Sequence, residues 1–198
     1  MHQKIRYLSH PQVQIDPDKG IMDWSLSDVG RRRVTSLANS CALKGTSVVI
    51  SSAETKAIET ARPLAKALSG NLHIREMMHE NDRSSTGFLP PKEFETVADQ
   101  FFAYPNVSIR GWETAAAAQS RIVEEIDICL CTHKCGDILF VGHGAVGTLL
   151  FCHLSGLPID RKFDQQPGGG CFFEFSSLQK KPVSGWRPIE DMTGDSKP

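Results

Sequence analysis

Five short apolar runs, "KIRYLS", "SVVISS", "NLHIRE", "DILFVGHG" and "CFFEFSS", recur along the chain, separated by stretches with helical spacing. The runs read as strands bounded by turn residues. The segments 27–43, 54–69, 92–103, 112–131 and 145–155 carry apolar residues at the spacing of helices. Alternation of this kind predicts an α/β fold of three layers, a mostly parallel sheet with helices on both faces. In 112–131, Ile122, Ile126 and Leu130 stand four residues apart among Glu124, Glu125 and Asp127, so one stripe faces a core.

At 198 residues the chain suits one domain with a sizeable core and is short for two. A single domain over 1–198 is therefore expected. Within it, 83–110 ("RSSTGFLPPKEFETVADQFFAYPNVSIR") reads as a lid, or as a surface insertion with its own small apolar cluster. The polar tail from about 180 should be loose and fray at its end. A net charge of -1 argues against a nucleic-acid partner, which needs a basic face. No apolar run reaches the length of a signal peptide or of a membrane span, about 18 residues, so a cytoplasmic protein without a membrane partner is expected. The six cysteines sit mostly in apolar surroundings and read as buried thiols. Cys129, Cys131, His133 and Cys135 in "CLCTHKC" raise the question of zinc, but structural sites pair their ligands with a second, more distant pair.

Three strand ends carry unusual chemistry. The first delivers Ser9 and His10, the second "SSAETKAIETA" with Lys56, and the fourth "VGHGAVG", where His143 lies between Gly142 and Gly144. Each alone reads as an ordinary structural or solvated residue. In an open parallel sheet, however, ligands bind beyond the carboxyl ends of the strands, so His10, Lys56 and His143 can converge on one site.

These motifs, in this order, resemble the histidine phosphatase superfamily, also called phosphoglycerate mutase-like. That family has Arg-His-Gly after its first strand and Ser-x-x-x-x-Arg-Ala-x-x-Thr-Ala after its second. An acidic proton donor follows the third strand and Gly-His-Gly the fourth. Here His10 matches the phosphorylated histidine, Ser51 to Ala61 the second motif, Glu80 in "MHEND" the proton donor, and His143 the second histidine. "WSLSDVGRRR" is similar to the segment that opens the family's first helix, and "GWET" at 111–114 to its Gly-Glu-Ser stretch. The departures are equally specific: Ser9 and Lys56 stand where the family has arginines, and Pro11 where it has glycine.

The resemblance implies phosphomonoester hydrolysis through a phosphohistidine on His10, with Glu80 as proton donor, His143 on the transferring oxygens, and neither cofactor nor metal. Ser9, Lys56, Arg83 and Gly144 are the implied substrate-binding positions. A hydroxyl at Ser9 replaces a bidentate guanidinium, and losing one such donor costs on the order of 10²–10³ in rate, so weak activity is expected. Arg83 is the candidate replacement cation, ahead of Arg110 and His79; its alternative is a surface salt bridge with Asp82 or Glu80. The rival reading is a non-catalytic pseudophosphatase that binds a phosphorylated ligand or partner. The implied ligand is a small phosphorylated substrate, or a phosphate or sulfate anion, and a homodimer is left open. On this account His10, His143, Glu80 and Lys56 share one pocket, with the imidazoles within about 8 Å of each other.

Overall fold

The computed structural model describes residues 3–193. In chain order it contains β1 (Lys4–Ser9), α1 (Asp28–Asn39), β2 (Thr46–Ser52), α2 (Thr55–Ala67), β3 (Asn71–Arg75), α3 (Pro91–Ala103), α4 (Ala115–Thr132), β4 (Asp137–Gly142), α5 (Gly144–Ser155), β5 (Cys171–Ser176), β6 (Arg187–Pro188) and α6 (Glu190–Thr193). The six strands form one sheet in the order β3-β2-β4-β1-β5-β6. β3, β2, β4 and β1 run parallel, while β5 and β6 are antiparallel to their neighbours.

Strand side chains alternate between two apolar layers, as the period of two requires. Ile5, Tyr7, Ile50, Ile138 and Phe140 face α3, α4 and α5. Leu8, Val49, Leu139 and Val141 face α1 and α2. The sheet is thus covered on both faces, as the alternation predicts. Local chemistry sets the helix starts: the hydroxyls of Ser27 and Thr114 accept from Gly30 N (3.2 Å) and Ala117 N (3.1 Å) at α1 and α4. Consequently "GWET" lies before α4, and that helix starts later than its apolar pattern suggests.

Segment 83–110 does not make an apolar cluster of its own, because Val97, Phe101 and Phe102 join the main core with Trp112. The segment from Lys180, expected to be loose, is held over most of its described length. Val183 N donates to Glu174 O (2.9 Å), Trp186 packs edge-on against Phe173 (4.9 Å), and Ile189 is only 1% exposed. Two apolar side chains outweigh the polar composition there. The expected fraying of the end itself lies outside the described residues. Among those residues no helix is long and apolar enough to cross a membrane.

The cysteines divide evenly: Cys129, Cys152 and Cys171 are buried, whereas Cys41, Cys131 and Cys135 are exposed. Cys131 falls on the solvent side of α4, and Cys41 and Cys135 lie in turns. Among the described residues no three His, Cys, Asp or Glu side chains are grouped to hold a metal ion.

Candidate active site

The parallel pairing of β1 with β4 sets Ser9 opposite Gly142, and His10 N continues the ladder to Gly142 O (2.9 Å). Each strand therefore hands a histidine to the same edge. The rings of His10 and His143 meet edge to face with centroids 5.3 Å apart. His10 Nδ1 lies 2.9 Å from Pro11 O. A carbonyl only accepts, so Nδ1 carries the proton and Nε2 keeps a free electron pair. The proline that replaces the family glycine retains this carbonyl.

His143 is fully buried at the start of α5, with Nε2 2.8 Å from Ser52 Oγ. Its backbone N–H donates to the Tyr7 hydroxyl, and that hydroxyl donates to its carbonyl, both at 3.2 Å. This contact explains Gly142: a Cβ there would lie 2.3 Å from Tyr7 Oη.

Burial dominates the electrostatics. It lowers His10 to about 4, with Lys56 acting in the same direction, and holds His143 well below the usual imidazole range. Both rings are neutral near pH 7. Burial also raises Glu80, an effect that Arg83 opposes. Glu80 accepts from Val146 N (3.1 Å) and Ala145 N (3.3 Å), so its carboxyl sits on the first turn of α5. The loop carrying it is clamped from α4. Arg121 donates to Met77 O (2.8 Å) and His79 O (3.0 Å), and forks onto Glu113 at 3.0 and 2.8 Å.

The implied binding residues fare unequally. Ser9 is fully buried and its hydroxyl binds Gln165 and the backbone of Cys171, so the structure does not bring it to the imidazoles. Its short side chain, unlike the arginine it replaces, ends within the β1–β5 contact. Lys56, 3% exposed, is tied to Glu54 and to Ile21 O (2.8 Å). Arg83 is no surface ion pair. Its guanidinium stacks over Phe94 (4.8 Å), and its charge acts on Glu80, Glu54 and His10. Arg110 is exposed and paired with Glu93, away from the site. Gly144 opens α5 beneath Gln165, whose Nε2 would stand 2.2 Å from any Cβ there.

A cavity of about 720 Å³ borders this group and is lined by Glu54, His79, Glu80, Asn81 and Arg83, among others. His10, His143 and Lys56 do not line it, which corrects the expectation of one shared pocket. Glu54 intervenes. Its carboxylate lines the cavity, holds Lys56, accepts from Glu80 N (2.8 Å) and lies 3.5 Å from His143 Nε2. Neither Glu54 nor Gln165 is marked by sequence pattern. The one signal was a carboxylate two residues before Lys56, which reads equally well as an ordinary first-turn residue.

A model of the histidine phosphatase superfamily (branch 1) matches residues 10–183, and the chain belongs to that family. Solved structures share its fold at low identity. The native mycobacterial glucosyl-3-phosphoglycerate phosphatase is 16% identical with a TM-score of 0.75, covering 94% of this chain and 97% of its own. A phosphoserine phosphatase mutant from Entamoeba histolytica, in complex with phosphoserine, is 15% identical with a TM-score of 0.76, covering 95% and 98%. The mycobacterial phosphatase with inorganic phosphate gives 17% and 0.74, covering 93% and 94%. No curated protein matches the sequence significantly.

Proposed function

We propose that the protein hydrolyses phosphomonoesters through a phosphoryl group carried on His10. The observation that carries this reading is a neutral His10 whose Nδ1 proton is committed to Pro11 O, beside His143. Nε2 attacks phosphorus as the bond to the leaving oxygen breaks. Glu80, whose proton burial helps to hold, gives that oxygen its proton. Water then attacks the phosphohistidine and leaves its proton on Glu80, which restores both residues. The ligand is a small phosphorylated molecule whose leaving group occupies the 720 Å³ cavity, with 83–110 as its cover, since Arg83, Ser84 and Gly87 line it.

The second reading, a non-catalytic phospho-ligand binder, is favoured by the pairing of Lys56 with Glu54. Turnover separates the two. Pure protein given a generic aryl phosphate should release phosphate slowly but measurably, and His10→Ala should abolish the release. Equal rates in both would remove His10 from the chemistry, and no release at all would favour the binder.

A further inference from the structure

Glu54 occupies the N-cap position of α2 yet caps nothing, since its side chain makes no capping hydrogen bond to the backbone of that helix. It turns inward instead and is 4% exposed. There its two oxygens collect a cation from Lys56 and an amide proton from Glu80 N at 2.8 Å, with His143 Nε2 at 3.5 Å. Lys56 and His143 are two groups that a transferring phosphoryl would need; neither lines the cavity, and both lie against Glu54, which does.

We propose that Glu54 is a resident anion of the phosphoryl site and a determinant of ligand charge. Its carboxylate stands on donors of a phosphoryl oxygen pair, so the site admits a singly charged tetrahedral group in preference to a doubly charged one. Resting on the phosphatase reading, this adds a charge rule to it. The surrounding charges agree. Lys56 is cancelled by Glu54, both imidazoles are neutral, and among the described residues lining the cavity Arg83 is the one lysine or arginine, against Asp23, Glu76, Glu80 and Asp82. A dianion entering such a site finds the Lys56 ammonium already neutralised, and at an intermediate dielectric the missing attraction of that charge is worth at least about tenfold in affinity.

The test uses sulfate and perchlorate, tetrahedral ions of two charges and one, titrated into the 198-residue chain by calorimetry. Wild type should bind perchlorate more tightly than sulfate. Glu54→Gln, nearly isosteric, should gain at least about tenfold for sulfate, with a smaller change for perchlorate. Glu54→Leu serves if the glutamine variant fails to fold. Adding Lys56→Met to either variant should remove the gain, because the freed ammonium is its source. A wild type that prefers sulfate, an unchanged Glu54→Gln, or a gain that survives Lys56→Met would each overturn the proposal. These are binding readouts. Loss of turnover with the charge rule intact would sink only the phosphatase reading, and turnover without the charge rule only this one.

Discussion

Burial acts on His10 and Glu80 with opposite chemical consequences, because it always disfavours the charged form. His10 falls from 6.5 to about 4, so the proposed nucleophile stays neutral well into acid, while Glu80 rises and holds its proton to higher pH than an ordinary carboxyl. The rate should therefore decline in acid only near pH 4, and in base as Glu80 loses its proton. A pH profile of kcat/KM checks this, and an acid limb near 6.5 would contradict it. Glu80→Gln should lower kcat for an alkyl phosphate by about 10²–10⁴, and less for an aryl phosphate whose leaving group needs no proton. Stability follows the same shifts. The folded His10 binds its proton less readily than the unfolded chain does, so stability is full above about 6.5 and falls as pH drops toward 4, by about 3 kcal/mol at most. Glu54, lowered from 4.5 to about 2, adds a second loss below 4.5. The melting temperature of His10→Gln relative to wild type should accordingly be higher at pH 5 than at pH 8.

Two element contacts hold these side chains in place. β1 and β4 approach closely at Gly142 because Tyr7 lies across it, held between Phe173 (5.5 Å, stacked) and Trp186 (6.0 Å, edge-on). Gly142→Ala must displace that ring or part the strands, and should cost about 1–3 kcal/mol in denaturant unfolding together with most of the activity. Arg121 and Glu113, with side chains 8% and 16% exposed, tie α4 to the loop that carries Glu80. Arg121→Met should therefore lower kcat more than it raises KM. The strands and helices were readable in the sequence because each buries one periodic face, and the histidines because they close two of those strands. Glu54, Gln165 and the buried course of Ser9 were not readable. Beyond the neighbouring Lys56, the partners of Glu54 are Glu80 and His143 on other elements, and Ser9 meets Gln165 156 residues away; no local pattern encodes contacts of that kind.

Across the whole molecule, the first helix and the C-terminal segment meet behind His10. Arg33 on α1 forks onto Glu190 at 2.6 and 3.0 Å and also donates to the carbonyls of Gly169 and Gly170. Gly170 N in turn donates to His10 O (3.0 Å), and Ile189 closes the apolar layer beneath. The C-terminal segment thus braces the backbone of His10. Ile189→Ala should destabilise by about 2–4 kcal/mol, read as a lowered melting temperature. The central claim, covalent chemistry at His10, is tested most directly by mixing the protein with an aryl phosphate, quenching in alkali and locating any phosphoryl group by mass spectrometry. A phosphoryl group on the His10 peptide, lost on acid treatment and absent from His10→Ala, is the result predicted. Steady turnover with no such adduct, or with the adduct on another residue, would contradict it.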